Sequence, residues 1–332
     1  MRIYHATEHG KLYCGDSIEV LKAMASQSVN CCVTSPPYYS LRDYNMAGQL
    51  GLEPTIADYI DRLCNVFDEV KRVLRDDGTL WVNLGDTYGG SGNGTGDYRS
   101  KADMSISGKR FDYTVKAKTN NFTQPKSLCQ IPSRFAIEMC NRGWILRNEI
   151  IWHKPNCMPS SAKDRFTVDF EKIFFFVKQQ KYWFETQTEP IKTESIKRNL
   201  RGNNENKYSK EEFMPGGVHA NTMSLPREYA GYGDLNKIRA NHPGRNKRAV
   251  WRVTTKGYKE AHFATYPLEL IETPIKAGCP VGGIVLDPFF GSGTTAIEAL
   301  RQNKRYIGID LNPEYCEIAA KRIDKELEQT SI

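Results

Sequence analysis

The chain has 332 residues, of which 39% are hydrophobic and 26% charged, an ordinary globular balance that excludes a fibrous or wholly disordered protein. The net charge of +7 is uneven, since residues 191–260 carry 15 Lys and Arg against 7 Asp and Glu and the other residues sum to −1. No apolar run approaches the roughly 20 residues that span a bilayer, and the first residues lack the apolar core of a signal peptide, so we expect a cytoplasmic protein.

The first predicted elements are a short strand at residues 11–14, a helix at 17–24 and a buried, Val- and Cys-rich strand at 29–33. Two prolines follow this third element, at positions 36 and 37. Because proline donates no hydrogen bond to a neighbouring strand, the strand must end before them.

A long amphipathic helix comes next, with apolar side chains at three- and four-residue intervals from residue 56 to residue 74. Asp77 and Gly78 are predicted to end this helix. A buried strand follows at 79–84, and the alternation of strand and helix predicts a parallel α/β sheet.

The middle of the chain contains two regions without regular periodicity. Residues 89–126 form a long polar segment that we expect to be a mobile loop. Residues 191–260 are rich in basic side chains and Asn, which favours an inserted nucleic-acid-binding region. A solvated basic surface is the alternative interpretation. The regular elements between and after these regions are a helix at 127–141, strands at 144–152, 172–177, 284–286 and 305–309, and helices ending near 301 and 327.

A glycine-rich loop at residues 289–295 joins a predicted strand to a helix. Glycines let a ligand approach the backbone closely, and a helix N-terminus offers free N–H groups. About 20 residues after the loop begins, another strand ends at Asp310, which is positioned to accept hydrogen bonds from ribose hydroxyls. A glycine-rich helix cap beside a surface carboxylate is the alternative.

The type of cofactor is indicated by what surrounds this loop. The loop has no G-K-S/T, and Asp287 opens it, so a pyrophosphate is disfavoured and a cofactor with an ammonium group is favoured. S-adenosylmethionine has an adenosine and an ammonium but no phosphate. We expect no metal, because the nine cysteines have no zinc-type spacing, and we expect them to stay reduced.

The second motif, T-S-P-P-Y at residues 34–38, directly follows a buried strand. The prolines fix the backbone, so that carbonyl oxygens point into a cleft. The Ser35 hydroxyl beside them can share the amino hydrogens of a base, and Tyr38 can stack on that base. A polyproline-like turn without function is the alternative.

With these two motifs the chain resembles the DNA amino-methyltransferases, which methylate the N4 amino group of cytosine or the N6 amino group of adenine. The resemblance covers residues 11–183 and 261–325. The catalytic motif precedes the cofactor motif, which is typical of the β group of the family. It implies a doubly wound, mostly parallel methyltransferase sheet of the seven-stranded type in a circularly permuted order, so that the chain starts at the third strand and finishes on the first two.

The resemblance also implies a domain division and a set of site residues. It places the catalytic domain at 1–190 and 261–332, a target-recognition insert at 191–260 and a mobile DNA-contacting loop at 89–126. The residues that match the catalytic motif are Ser35, Pro36, Pro37 and Tyr38. Those that match the S-adenosylmethionine site are Asp16, Thr265, Asp287, Phe289, Gly291, Gly293, Thr294 and Asp310. DNA contacts are expected from Arg245, Lys247, Arg248, Arg252 and Trp152, the last of which is alternatively a core aromatic.

The expected substrate is double-stranded DNA with the target base flipped out of the helix. Within the family, S-P-P-Y is more often found with cytosine and D-P-P-Y with adenine, so the resemblance favours cytosine N4 over adenine N6. An RNA methyltransferase and a non-catalytic DNA binder are less favoured interpretations. Homodimers and partner restriction endonucleases occur in the group, and the sequence establishes neither.

Overall fold

The computed structural model describes residues 2–44, 46–89, 124–190, 244–255 and 266–330. Its contacts divide the chain into two compact units, one formed by residues 1–185 and 249–332 and the other by residues 186–248. The described strands are β1 (Arg2–Thr7), β2 (Gly10–Cys14), β3 (Val29–Thr34), β4 (Leu74–Leu84), β5 (Ile145–His153), β6 (Phe170–Val177), β7 (Thr188–Glu189), β8 (Arg245–Asn246), β9 (Val250–Arg252), β10 (Ile284–Asp287) and β11 (Arg305–Asp310). The described helices are α1 (Ser17–Lys22), α2 (Ile56–Val73), α3 (Ile131–Asn141), α4 (Leu268–Gly278), α5 (Thr294–Arg301) and α6 (Pro313–Thr330).

The larger unit is built on one nine-stranded sheet in the order β1-β2-β11-β10-β3-β4-β6-β5-β9. Strands β1 and β6 run antiparallel to their neighbours, and the other pairs are parallel. Without the two edge strands β1 and β9, the sheet has seven strands in the order β2-β11-β10-β3-β4-β6-β5. This is the predicted permuted order, since the central β10 and β11 come from the end of the chain. This confirms the predicted fold, to which β1 and β9 add edge strands that the sequence analysis did not anticipate.

Each face of the sheet carries a hydrophobic core. Buried side chains of α1, α2 and α3 pack on one face, and those of α4, α5 and α6 pack on the other. Helix α2 has the amphipathic pattern that the sequence predicts, since it buries side chains at three- and four-residue spacing, namely Tyr59, Leu63, Phe67 and Val70. The Thr55 hydroxyl caps its first turn.

The end of α2 differs from its prediction. The helix stops at Val73, and Leu74 already has extended backbone angles (φ −71°, ψ 136°) and belongs to β4. Gly78 therefore lies within a strand, where a Cβ atom would stand 2.8 Å from the Asn30 carbonyl oxygen of β3. The glycine permits close approach of two strands and does not end a helix.

Two smaller differences concern α3 and the insert. Helix α3 begins at Ile131 and not at residue 127, because Gln130 has left-handed backbone angles (φ 59°, ψ 33°) that a right-handed helix cannot include. The Asp86 carboxylate accepts a hydrogen bond from the Ile131 N–H at this start. The smaller unit spans 186–248, so that Arg252, assigned by sequence to the insert, lies in β9 of the main sheet. Within the described residues no helix is long and apolar enough to cross a membrane.

Candidate active site

A cavity of about 480 Å³ lies in the larger unit, where the carboxyl ends of the parallel strands meet. Both sequence motifs reach it, because β3 and β10 are neighbours in the sheet although they are about 250 residues apart. The motif after β3 contributes residues 35–38, and the glycine-rich loop after β10 contributes residues 288–292 and 294. Open α/β sheets bind their ligands at this kind of position.

The glycine-rich loop depends on two left-handed glycines. Gly291 has φ +52° and Gly293 has φ +79°, a region that side chains other than glycine rarely adopt. A Cβ atom on Gly293 would lie 3.0 Å from the Ala319 Cβ of α6, whereas one on Gly291 would meet no atom within 4 Å. Gly293 therefore serves close packing, and Gly291 leaves space at the cavity wall.

Asp310 lies at the end of β11 and lines the same cavity. Its Oδ2 accepts a hydrogen bond from the Gly291 N–H at 2.7 Å, and its Oδ1 accepts one from the Asn312 N–H at 2.8 Å. Burial raises the pKa of this carboxyl to about 6, although both hydrogen bonds oppose the shift. The remaining lone pairs suit hydroxyl donors such as those of a ribose.

Asp287 is placed differently from its sequence-based assignment. It is 1% exposed and is not among the residues that line the cavity. Its Oδ1 accepts hydrogen bonds from the Thr34 hydroxyl and the Phe289 N–H, and its Oδ2 accepts from Tyr266 and Thr295. Four donors saturate a carboxylate, so it is left with no lone pair for a cofactor ammonium. Burial raises the pKa of Asp287, and the four hydrogen bonds counteract this.

The other predicted cofactor residues lie around the part of the cavity formed by the glycine-rich loop and Asp310, which we call its cofactor half. Asp16 lines the cavity and caps α1, accepting hydrogen bonds from the N–H groups of Ile18 and Glu19. Phe289 and Thr294 also line it. Thr265 lies outside the described residues. Its described neighbour Tyr266 lines the cavity and anchors Asp287.

The S-P-P-Y motif is held from behind by α2. The Tyr59 hydroxyl donates to the Pro37 carbonyl oxygen at 2.8 Å. Among the described residues the Pro36 carbonyl oxygen accepts no hydrogen bond, and Pro36 lines the cavity. The ring of Tyr38 packs on Gly85, where a Cβ atom would lie 2.5 Å from it. These contacts fix the motif, and the Pro36 carbonyl oxygen keeps its lone pairs for a hydrogen-bond donor in the cavity.

Three cavity residues that the motif analysis did not assign complete the site. They are Asn83 of β4, Lys154 just after β5 and Glu171 of β6. The Tyr38 hydroxyl donates to Glu171 at 2.7 Å, and burial followed by the nearby Glu171 charge raises the pKa of this phenol well above its usual value. The available sequence signal was weak: Glu171 and Lys172 are adjacent charged residues near the start of strand β6, whose other side chains are apolar.

The predicted DNA contacts fall into three places. Trp152 is 4% exposed, lines the cavity and donates to the Val253 carbonyl oxygen, so it is both a core aromatic and part of the cavity wall. In the smaller unit, Arg245 and Arg248 form ion pairs with Glu189 at 2.8 and 2.7 Å, and the Lys247 N–H donates to the Gln187 carbonyl oxygen. Arg252 is an exposed residue of β9.

The cavity residues fit S-adenosylmethionine. Asp310 offers a carboxylate to ribose hydroxyls, Gly291 leaves open space, and the loop has no phosphate-binding lysine. Within the described ranges no group of three or more His, Cys, Asp and Glu side chains is arranged to hold a metal. The nine cysteines, all in described ranges, are free thiols.

Comparison with known proteins places this site in a family. A family model described as DNA methylase matches residues 29–321. The Type II methyltransferase M.Cfr9I of Citrobacter freundii is 39% identical over 317 residues, which are 95% of this chain and 88% of that protein. The Type II methyltransferase M.XycI of Xanthomonas campestris pv. cyanopsidis is 40% identical over 94% of this chain and 87% of that protein.

Solved structures show the same fold. The PvuII DNA methyltransferase, described as cytosine-N4-specific, has a TM-score of 0.59 at 18% identity and covers 99% of this chain and 94% of its own. A Thermus thermophilus protein described as a putative DNA modification methylase, complexed with S-adenosyl-L-methionine, has a TM-score of 0.52 at 24% identity over 96% of each chain. The chain belongs to the DNA methylase family of S-adenosylmethionine-dependent amino-methyltransferases.

Proposed function

We propose that this protein methylates the exocyclic N4 amino group of cytosine in double-stranded DNA at a specific sequence. The observation that carries the proposal is that Ser35 and Pro36 line the same cavity as Gly291 and Asp310. One cavity can therefore hold an amino group and a methyl donor side by side. The S-P-P-Y form of the motif supports cytosine, as does the fold of the cytosine-N4-specific PvuII enzyme.

The cofactor half of the cavity binds and orients S-adenosylmethionine. When bound, S-adenosylmethionine supplies an electrophilic methyl group on its sulfonium. Asp310 would accept hydrogen bonds from the ribose hydroxyls, and Asp16 and Phe289, which line the same cavity, would border the cofactor. Asp287 acts indirectly, because it fixes the loop through the Phe289 N–H.

The base half of the cavity activates the amino group. The lone pair of an exocyclic amine is delocalised into the ring, so the nitrogen is a poor nucleophile. The Ser35 oxygen and the Pro36 carbonyl oxygen accept its hydrogens and favour a pyramidal nitrogen. The lone pair of this nitrogen would form the new bond to the methyl group as the bond from that methyl to sulfur breaks in line, and one amino proton would then be released to water. Tyr38, held by Gly85 and Glu171, supplies a fixed ring on which the flipped base stacks.

The basic insert is the proposed source of sequence specificity. Arg245, Lys247 and Arg248 belong to the smaller unit, and Arg252 lies on the edge strand β9. Most of residues 191–260 and of the 89–126 loop lies outside the described residues, so their target-recognition and DNA-contacting roles stay predictions. The Type II relatives support the proposal that a restriction endonuclease acts on the same site. A homodimer stays a prediction from the resemblance.

The test is methyl transfer from labelled S-adenosylmethionine to duplex DNA of mixed sequence, followed by mass spectrometry of the nucleosides. N4-methylcytosine is the expected product, and Ser35→Ala protein is the control. N6-methyladenine would contradict the assignment to cytosine. The absence of a methylated nucleoside from protein that binds the cofactor would contradict DNA as the substrate. Sequencing of the methylated sites then tests specificity.

A further inference from the structure

A cluster of polar side chains lies beside the catalytic motif in the cavity wall, and Glu171 is at its centre. Its Oε2 accepts hydrogen bonds from the Tyr38 hydroxyl at 2.7 Å and from the Asn83 Nδ2 at 3.1 Å. Its Oε1 forms an ion pair with Lys154. The two charged side chains are 17% and 18% exposed, and the Lys154 ammonium lies 4.3 Å from the centre of the Trp152 ring. The charge of Glu171 is therefore balanced within the site.

These contacts determine where the hydrogens point. The Tyr38 hydroxyl has one hydrogen and two acceptors in reach, Glu171 Oε2 at 2.7 Å and Asn83 Oδ1 at 3.2 Å, and it donates to the nearer and negatively charged one, Glu171. The Asn83 amide nitrogen donates to Glu171 and to the Lys172 carbonyl oxygen at 3.2 Å, so its Oδ1 lies on the side of the Tyr38 oxygen, 3.2 Å away, and of Ser35. Both groups consequently present oxygens, and not hydrogens, towards Ser35.

Ser35 responds to this arrangement. Its Oγ lies 3.4 Å from the Asn83 Oδ1, to which it donates its single hydrogen. The lone pairs of the Ser35 oxygen are then free on the cavity side. With its hydrogen donated to Asn83, the Ser35 oxygen can accept a hydrogen bond from an amino group. If the hydroxyl hydrogen pointed into the cavity instead, two donors would face each other and this hydrogen bond could not form.

We propose that Glu171, with its charge balanced by Lys154, is a positioning residue that sets the direction of the Ser35 hydroxyl through Tyr38 and Asn83. The inference rests on the proposed catalytic role of Ser35. Glutamine at position 171 presents an amide N–H either to Lys154 or to the Tyr38–Asn83 pair. The hydrogens around Ser35 then lose their single arrangement, while the cofactor half of the cavity is unchanged.

The experiment is a double-mutant cycle with Glu171→Gln and Ser35→Ala. Methyl transfer to duplex DNA is measured in a single turnover with saturating S-adenosylmethionine, and cofactor affinity is measured by calorimetry. Glu171→Gln is expected to slow transfer about 10-fold in the parent, in the range of one lost charge-assisted hydrogen bond, and to change cofactor Kd less than about 2-fold. In the Ser35→Ala background it is expected to change the rate less than about 2-fold.

The matched control is Glu149→Gln. Glu149 forms an ion pair with Lys172 at 2.7 Å, lies on β5 and does not line the cavity. Its substitution is expected to leave the rate within about 2-fold of the parent.

Two results would overturn the inference: an unchanged rate for Glu171→Gln, or an equal slowing with and without Ser35. A Ser35→Ala protein as fast as the parent would instead remove the catalytic role of Ser35, and this inference with it. If Glu171→Gln does not fold because Lys154 has lost its counter-charge, Lys154→Met is added, and the same comparison with and without Ser35→Ala is made in that background.

Discussion

The two halves of the cavity are built in different ways. The cofactor half is mainly backbone: a loop with two left-handed glycines, held by the buried Asp287 carboxylate, which does not line the cavity. The base half is mainly side chains: Ser35, Asn83, Lys154 and Glu171 come from four separate segments and meet only in the folded sheet. In the cofactor half, packing of the loop determines the shape of the binding surface. In the base half, hydrogen bonds between side chains determine which atoms, donors or acceptors, face the cavity.

This difference implies that binding and turnover are separable. Changes in the loop and its anchors act on stability and cofactor affinity, because they alter the shape of a binding surface. Changes in the base half act on the rate, because they alter which atoms face the amino group. The following substitutions are ordered by their expected effect on the cofactor half.

The largest effect is expected for Asp287→Asn. The amide nitrogen faces donors that the carboxylate had satisfied, among them the hydroxyls of Thr34 and Tyr266. We expect the free energy of unfolding to fall by about 3 kcal/mol and cofactor affinity to fall about 100-fold. Thermal unfolding and calorimetry measure these changes. Thr34→Val removes one of the four donors and should cost about 1 kcal/mol. Full cofactor affinity in Asp287→Asn would contradict its anchoring role.

An intermediate effect is expected for Asp310→Asn. The carboxylate loses its charge where ribose hydroxyls donate, so cofactor affinity should fall about 10- to 30-fold. The free energy of unfolding should fall by about 1 kcal/mol, less than for Asp287→Asn, because the Asn side-chain oxygen still accepts one of the two backbone N–H bonds and its amide nitrogen faces only the other. An unaltered calorimetric Kd would remove Asp310 from the cofactor site.

Asp310 also gives cofactor binding a pH dependence. Burial raises its pKa to about 6, so below that pH the free protein holds a protonated carboxyl and the cofactor Kd should rise as the pH falls. The same shift lowers the free energy of unfolding of ligand-free protein as the pH rises from about 4 to about 6, because the unfolded chain loses this proton first. Asp310→Asn should flatten both profiles, and parallel profiles in parent and variant would contradict this.

The smallest effect is expected for Gly293→Ala. At φ +79° an alanine is strained, and its Cβ would press on Ala319 at 3.0 Å. The free energy of unfolding should fall by about 1–2 kcal/mol, as measured by denaturant unfolding. Gly291→Ala meets no neighbour, so it should cost less stability but lower cofactor affinity. The reverse order of the two stability losses would contradict the packing role of Gly293.

The same difference explains what the sequence could predict. The glycine-rich loop, Asp310 and S-P-P-Y were found because each motif is contiguous and follows a strand. Glu171 was not found, because its role depends on the antiparallel pairing of β6 with β4, which brings it beside Asn83. Asp287 was found but given a direct role, because a sequence does not show that four donors saturate its carboxylate.

The sequence predicts the order of the helices and strands better than the residues at which they begin and end. The pattern of α2 gave a helix, but Asp77 and Gly78 were read as its end when they belong to β4. The helix ends where the core requires Leu74 in an extended strand, and glycine is needed for the approach of Asn30. The end of this helix is therefore determined by tertiary packing, which local propensity does not predict.

The most direct test of the division between binding and turnover is Ser35→Ala, with cofactor affinity and methyl transfer to duplex DNA measured on the same preparation. The expected result is a cofactor Kd within about 2-fold of the parent and a single-turnover rate about 100-fold lower, the scale of one lost transition-state hydrogen bond. An unchanged rate, or a rate and an affinity that fall together, would contradict the account.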